Sequence, residues 1–192
     1  MRDERLFPMF AGLDTLTGVG PKMKPLLERL VDGETIWDLL LHLPERWVDR
    51  RVRASFDQVA FGEVATVQGE VHAYQAPYSD KAPHRIQLFD GRVEDFKGER
   101  QMTHPDYIVD PAKGDHPPEV EPIYGLTAGL TNKRVHSLAV QALSSVPDGL
   151  PEWGDAHLIM QKGWVGFKDA LIGLHNPPVY DETAFDLGRE RL

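Results

Sequence analysis

The first third of the chain has the hydrophobic spacing of amphipathic helices. Apolar residues recur three and four positions apart in two runs, 23–30 and 36–43, which places each run on one face of a helix. Gly33 lies between the runs at a position typical of a helix C-cap, and Thr35 can cap the second helix. The pattern therefore predicts a helical hairpin over residues 13–43.

Further along, the spacing changes to that of β-strands. Residues 64–71 alternate between apolar and polar and are rich in β-branched side chains, as a half-buried strand is. Residues 84–89 and 92–96 also have strand character, and a turn at 97–100 leads back into 101–104. Short strands joined by glycine-containing turns predict a small barrel or sandwich.

The last part of the chain returns to helical spacing. Residues 110–122 contain four prolines and predict a loop, whereas residues 131–143 and 167–174 predict helices. The whole pattern predicts an α+β protein with strands between two helical regions. We therefore divide the chain into three parts: residues 1–55, 56–125 and 126–192.

The composition of the chain indicates the cellular compartment in which it acts. The chain has no cysteine, which excludes disulfides and thiol chemistry and is typical of proteins in a reducing compartment. No apolar run approaches the ~20 residues that span a bilayer, and the charged first residues do not lead into the apolar core of a signal peptide. We therefore expect a cytoplasmic protein with no membrane partner.

The net charge of −9 limits the ways in which the chain could bind nucleic acid. Binding to phosphates normally relies on an excess of Lys and Arg, which releases condensed counterions. Acidity therefore argues against non-specific coating of DNA, although a small basic site remains compatible with it. Composition alone favours an ordinary soluble domain over a nucleic-acid binder.

A glycine-rich turn is the most informative motif. Residues 16–22, Leu-Thr-Gly-Val-Gly-Pro-Lys, precede a predicted helix and resemble a helix-hairpin-helix turn, whose backbone N–H groups contact a DNA phosphate. Gly18 and Gly20 permit positive φ and close approach, and Lys22 adds charge. A plain turn between two helices would use the same glycines, so both interpretations stay open.

An aromatic residue and several arginines follow the helical hairpin. Trp47 could stack on a base, and Arg50 and Arg51 could contact phosphate. Alternatively, Trp47 packs into a core and the arginines pair with Asp49 or Glu45. We favour packing for Trp47, because large aromatic side chains near proline-bounded junctions are usually buried, and we leave both arginines open.

The predicted strands supply further candidates for DNA contact. Tyr74, Tyr78 and Phe96 lie near strand ends, where aromatic rings could stack on unpaired bases. Arg85 and Lys97 would add charge along the same groove. Phe96 is more often a core residue than a base platform, and Lys97 in a turn could equally be solvated.

Catalytic and metal-binding motifs are absent from the sequence. The eight histidines are scattered, without HExxH spacing or cysteine partners, which favours structural or surface roles over a metal site. No Walker-type phosphate-binding loop occurs, so the chain alone should not hydrolyse ATP. We predict no catalytic residue, no metal and no cofactor in this chain.

Three blocks in order resemble the amino-terminal region of bacterial RecG helicases. Each block is modest, and their order and spacing make the match specific. The tail from residue 150 also resembles the family's helical link to its motor domains. The three blocks are residues 13–51, residues 62–71, and residues 101–107 with 121–124 and 127–133.

The resemblance implies an OB-fold β-barrel, the wedge domain, flanked by the N-terminal helical hairpin and by C-terminal helices. It implies a branch-migration helicase that reverses replication forks and acts on Holliday junctions in DNA recombination and repair. ATP and Mg²⁺ would bind in motor domains absent from this chain. Branched DNA is the implied partner of a monomer, with single-stranded-DNA-binding protein as a further partner.

A second function remains open beside DNA binding. An acidic OB fold could instead bind a partner peptide, such as the tail of single-stranded-DNA-binding protein. Salt dependence separates the two functions. Phosphate binding should weaken steeply with salt, whereas a mainly apolar peptide contact should not.

The sequence departs from the family at one place. In the family a further strand and its connection stand between the positions matched by Asp90 and Gly91, which are adjacent here. A five-stranded OB barrel cannot close without that strand. We therefore predict that a segment is missing between these two residues.

Overall fold

The computed structural model describes residues 4–53, 55–71, 85–114, 118–150 and 154–192. The chain falls into two compact units: unit 1 comprises Met1–Trp47 and Pro122–Leu192, and unit 2 comprises Val48–Glu121. The predicted α+β class is confirmed. The helical regions before and after the strands share unit 1, whereas the sequence-based division separated them.

In the part of the chain that the structure describes, all α-helices belong to unit 1. The patterns at 131–143 and 167–174 are confirmed as helices, whereas residues 13–15 form only a short 3-10 turn. No helix in the described ranges is long and apolar enough to cross a bilayer. The helices are α1 (Lys24–Val31), α2 (Ile36–Leu41), α3 (Asn132–Leu143), α4 (Ala156–Lys162), α5 (Phe167–His175) and α6 (Glu182–Arg191).

The connection between α1 and α2 is set by caps. Thr35 caps α2 as predicted: its N–H donates to the Asp38 carboxylate at 2.8 Å, and the Asp38 N–H donates back to the Thr35 hydroxyl, which is a capping box. The C-cap prediction for Gly33 is wrong, because Asp32 adopts the left-handed conformation with a φ of 49°. Gly33 is required for another reason, since the Asp38 carboxylate occupies the space that a Cβ would take.

The core of unit 1 is built from the apolar faces of α1, α2, α3 and α5. Leu27, Leu39, Leu138 and Leu171 are fully buried there, one from each helix. Burial of one such side chain contributes about 1.5–3 kcal/mol relative to leaving it exposed. The spacing of apolar residues in the sequence therefore corresponds to one shared core.

The strands form three separate pairings or sheets. β1 pairs with β8, β5 pairs with β6 in a hairpin, and the remaining strands form a sheet in the order β2-β3-β4-β7. β2 is parallel to β3, and the other neighbours in this sheet are antiparallel. The strands are β1 (Arg46–Asp49), β2 (Val52–Arg53), β3 (Val64–Val71), β4 (Arg85–Arg92), β5 (Glu94–Phe96), β6 (Glu99–Gln101), β7 (Tyr107–Val109) and β8 (Val120–Ile123).

β4 runs without interruption through Asp90 and Gly91, opposite Thr66 and Ala65 of β3. Glycine suits this position because a Cβ at Gly91 would lie only 2.9 Å from the backbone of Pro105. The described strands do not close into a barrel. The segment predicted to be missing between positions 90 and 91 stays a prediction.

Candidate nucleic-acid interface

The glycine turn lies directly before α1 in unit 1. Gly18 has a φ of +83°, a conformation that residues with side chains rarely adopt. The carbonyl of Gly20 accepts hydrogen bonds from Met23 N at 2.9 Å and from Lys24 N at 3.0 Å. The first helical turn therefore starts immediately behind the two glycines.

Two side chains of α3 hold this turn in place. Arg134 Nη2 donates to Gly18 O at 2.7 Å, and its Nε lies 3.4 Å from Met23 Sδ. Gln141 Oε1 accepts from Thr17 N at 3.1 Å. The Arg134 guanidinium also fills the space that a Cβ at Gly18 would need. Sequence reasoning missed Arg134, because its contact with Gly18 joins positions 116 apart and no local pattern marks it.

The turn presents hydrogen-bond donors to solvent. Across the described residues, nothing accepts a hydrogen bond from the N–H of Gly18, Gly20 or Lys22, and all three residues are exposed. Asp14 lies 3.3 Å from Lys24 Nζ in the following turn, so a carboxylate already neutralises one nearby cation. The turn can offer backbone donors and one lysine to a phosphate, which makes it a modest basic site.

Arg50 does not lie on a surface groove. Its side chain is buried in unit 2, where the guanidinium pairs with Asp90 and Glu121 and lies 3.6 Å from Asp106. Thr66 Oγ1 donates to the second carboxylate oxygen of Asp90 at 2.5 Å. An arginine enclosed by carboxylates could reach a phosphate only by breaking a buried ion pair. The structure therefore favours pairing over phosphate contact for Arg50, and its partners are Asp90 and Glu121 rather than the Asp49 or Glu45 considered from the sequence.

Trp47 and Arg51 follow the packing interpretation. Trp47 is buried in unit 1, and its Nε1 donates to Leu174 O at 3.0 Å, which confirms that it is a core residue. Arg51 pairs with Asp49 through two parallel hydrogen bonds of 2.9 and 2.7 Å. These bonds lower the pKa of the Asp49 carboxyl. A phosphate would have to compete with this bidentate pair to bind Arg51.

Phe96 and Lys97 stand at the tip of the β5–β6 hairpin. Lys97 and Gly98 both have positive φ, 57° and 87°, as the central residues of a type I′ turn do. Phe96 is 56% exposed, so the interpretation as a core residue is wrong. β5 has only three residues, and all three are exposed. Among the described residues, Phe96 does not belong to the core cluster of unit 2. Lys97 Nζ lies 5.3 Å from the Phe96 ring centroid.

A second aromatic–cation pair lies in the same unit. Phe61 is 47% exposed, and the Arg100 guanidinium of β6 lies 4.9 Å from its ring centroid. Arg100 Nε also donates to Val59 O at 2.8 Å. Sequence reasoning missed Phe61, since an aromatic residue in a loop before a strand is usually assigned to a core.

The other predicted contacts fall at or beyond the edge of the described sheet. Tyr74 and Tyr78 lie outside the described residues. Arg85 is the first residue of β4 and pairs with Val71, the last residue of β3. The structure therefore brings Phe96 and Lys97 together and places Arg85 in a strand. Contact of any of these residues with DNA stays a prediction.

Three histidines, of which only His175 is buried, lie around Tyr124 in unit 1. Tyr124 Oη lies 2.9 Å from His175 Nδ1, and His175 Nε2 lies 2.8 Å from Leu40 O. A neutral ring with its proton on Nε2 satisfies both contacts. The rings of His42 and His136 flank Tyr124 at centroid distances of 6.0 and 6.5 Å. No group of residues in the described ranges could hold a metal ion.

Comparison with known proteins decides which family the chain resembles. It is 26% identical to the ATP-dependent DNA helicase RecG of Thermotoga maritima over 91% of this chain, and 28% identical to that of Escherichia coli K12 over 86%. The resemblance to RecG helicases is confirmed. The chain spans only about a quarter of the length of these RecG proteins, 26% and 28% respectively. No protein-family model matches the chain.

The fold agrees with RecG as well. A solved structure of RecG bound to a three-way DNA junction matches 95% of this chain with a TM-score of 0.67, at 22% identity and over 29% of that protein. This likeness supports the mixed α+β fold. None of the relatives supports the peptide-binding alternative.

Proposed function

We propose that this chain is the DNA-binding wedge region of a RecG-type helicase that remodels branched DNA in recombination and repair. The observation that carries the proposal is the extent of the match, which covers between 86% and 95% of the chain in sequence and in fold. The relatives are ATP-dependent DNA helicases, and the matched structure holds RecG on a three-way DNA junction. Replication forks and Holliday junctions are the branched substrates that such an activity would meet.

Within this proposal, unit 2 is the OB-fold wedge. Its sheet of β2, β3, β4 and β7 supplies the support. The β5–β6 hairpin presents the Phe96–Lys97 pair at its tip, and Arg100 of the same hairpin lies over the ring of Phe61. OB folds bind single strands by combining aromatic stacking with basic side chains. The exposed ring of Phe96 is therefore the best-placed group for stacking on a base unpaired at a branch point.

The charges of the hairpin favour stacking over phosphate binding. Glu94, Asp95 and Glu99 belong to the same hairpin as Lys97 and Arg100, so the hairpin has no basic excess. Stacking on a base carries no counterion release and depends little on salt. Phosphate contact would instead fall to the glycine turn of unit 1.

Motor activity would come from other parts of the parent protein. Those parts would bind ATP and Mg²⁺ and move the DNA duplex, while this chain would bind the junction. We expect the parent protein to act as a monomer in the bacterial cytoplasm, where the chromosome lies. Single-stranded-DNA-binding protein is a further partner that we expect from the family resemblance.

Binding measurements with labelled DNA test the proposal. Fluorescence anisotropy would compare a three-way junction, a plain duplex and a single strand of equal length, at salt concentrations from about 50 to about 200 mM. We expect the junction to bind most tightly and its affinity to fall as salt rises. Equal affinity for the three DNAs, or no binding at low salt by the folded chain, would contradict the wedge function.

A matched pair of variants tests the stacking role. Phe96→Ala should weaken junction binding at least about fivefold, because base–aromatic stacking contributes about 1–3 kcal/mol. Phe7→Ala is the control, since Phe7 is 55% exposed and Phe96 is 56% exposed, and it should leave the affinity unchanged. Equal affinities of the two variants would exclude Phe96 from the interface.

A further inference from the structure

A cavity of about 360 Å³ lies between α5 and α6 in unit 1. Its lining is mostly apolar and includes Trp47, Leu174 and Leu187, with Val165 and Val179 at exposed positions. Cavities of this size accommodate a small ligand or the side chains of a short peptide. The DNA-binding role proposed above uses none of these residues.

The wall of the cavity presents ring and methyl groups. Trp47 has its one polar atom occupied, because Nε1 donates to Leu174 O at 3.0 Å, and its ring packs against Phe185 at a centroid distance of 5.1 Å. Gly188 lets α6 approach α5 closely, since a Cβ there would lie 3.2 Å from Leu174. Gly173 has open space where a side chain would be, so part of the cavity exists because this helical position is a glycine.

The charged residues that line the cavity have one sign. Asp169 of α5 and Asp181 before α6 are both exposed, and no lysine or arginine lines the cavity. Asp181 Oδ1 accepts from Thr183 N at 2.9 Å and from Ala184 N at 3.2 Å, which fixes the carboxylate as the cap of α6. An apolar site with two carboxylates repels phosphates and attracts cations.

We propose that this cavity docks a peptide segment of a protein partner in which an apolar side chain such as leucine is flanked by lysine or arginine. The apolar side chain fills the space beside Gly173 and covers Trp47. The flanking cations pair with Asp169 and Asp181. DNA does not suit the site, because its phosphates would face the two carboxylates.

Three short peptides serve as probes of the full chain. They are acetylated and amidated Lys-Leu-Lys, Glu-Leu-Glu and Lys-Ser-Lys, and the readout is the indole N–H signal of Trp47 in a ¹H–¹⁵N NMR spectrum. Lys-Leu-Lys should shift this signal saturably and bind at least about fivefold more tightly than Glu-Leu-Glu, since each exposed ion pair adds a small increment. Lys-Ser-Lys should produce no shift.

Substitutions separate the apolar part from the charged part. Gly173→Leu fills the cavity and should abolish binding of Lys-Leu-Lys, whereas Gly173→Ala leaves most of the space and should retain it. The double variant Asp169→Asn, Asp181→Asn removes both charges, and asparagine keeps the cap of α6. Its affinities for Lys-Leu-Lys and Glu-Leu-Glu should differ by less than about twofold.

Several results would overturn the assignment. Equal affinities for Lys-Leu-Lys and Glu-Leu-Glu would show that the site does not select a cationic peptide. Equal affinities for Lys-Ser-Lys and Lys-Leu-Lys would show that no apolar side chain fills the cavity. No shift of the Trp47 signal with any peptide, in a chain whose spectrum shows it folded, would exclude peptide docking. A shift of this signal on addition of the three-way junction would instead assign the face to DNA.

Discussion

Protonation of His175 should control how the stability of unit 1 depends on pH. The ring is fully buried in α5, and it is held between Tyr124 Oη and Leu40 O in the neutral form. Burial lowers the pKa of His175 from 6.5 to about 4, the hydrogen bond to Leu40 opposes this change, and the nearby His136 and His42 lower the pKa further. Folding therefore keeps this ring neutral at a pH where the unfolded chain takes up a proton.

The size of the effect follows from the two pKa values. The difference between 6.5 and about 4 is roughly 2.5, which corresponds to about 3 kcal/mol of unfolding free energy. Because the folded pKa is the lower one, this stability is complete above pH 6.5. It is lost progressively as the pH falls towards 4, and below that value both states are protonated and the contribution stays constant.

Urea unfolding followed by tryptophan fluorescence measures the change. His175→Gln keeps a donor for Leu40 but does not titrate, so its unfolding free energy should fall less between pH 7 and pH 4.5 than that of the parent chain, by about 2–3 kcal/mol. His157→Gln is the control, since His157 is exposed on α4, and it should follow the parent chain. Carboxylates contribute equally to all three proteins and cancel in the comparison.

Equal acid sensitivity of His175→Gln and the parent chain would refute this prediction. If His175→Gln and the parent chain lost the same free energy on acidification, the protonation of His175 would not be linked to unfolding. An NMR titration provides an independent measurement. A His175 ring that titrates near 6.5 in the folded chain would contradict the link between its burial and its pKa.

Two further substitutions test the structural roles assigned above. Arg50→Ala should destabilise unit 2 by about 3–5 kcal/mol, because Asp90 and Glu121 would be left buried without a cation. Because the four tryptophans belong to unit 1, this urea titration is followed by far-ultraviolet circular dichroism. Arg51→Ala should cost less than about 1 kcal/mol, since its guanidinium is half exposed, and equal losses would show that the Arg50 network is not buried in solution. Thr35→Ala should lower the unfolding free energy by about 1 kcal/mol through loss of the capping box; a Thr35→Ser variant that lost as much would show that the hydroxyl is not the stabilising group.

The buried Arg50 network changes how the acidity of the chain should be understood. Asp90 and Glu121 are enclosed with Arg50 in unit 2, so part of the negative charge is used inside the fold. The glycine turn in unit 1 meanwhile has exposed backbone donors beside Lys22. A net charge of −9 is therefore compatible with a local phosphate site, because the distribution of charge matters more than its sum.

Local features of the fold could be predicted from the sequence alone. The helices α3 and α5, the cap at Thr35 and the turn at Lys97 and Gly98 depend on residues within a few positions of one another. Periodicity and turn chemistry act through neighbouring backbone groups, so these features can be predicted without knowing any distant contact. The order and spacing of the three resembling blocks also came from the sequence, and the comparisons confirmed that resemblance.

Burial and pairing were decided by the tertiary structure. Arg50 meets carboxylates 40 and 71 positions away, and Arg134 braces a glycine 116 positions away. Phe96 is exposed because no layer of described residues covers the tip of its hairpin. Whether an arginine or an aromatic ring is free to bind DNA depends on which distant residues surround it. The spacing of residues along the chain does not predict these neighbours, because they come together only in the folded structure.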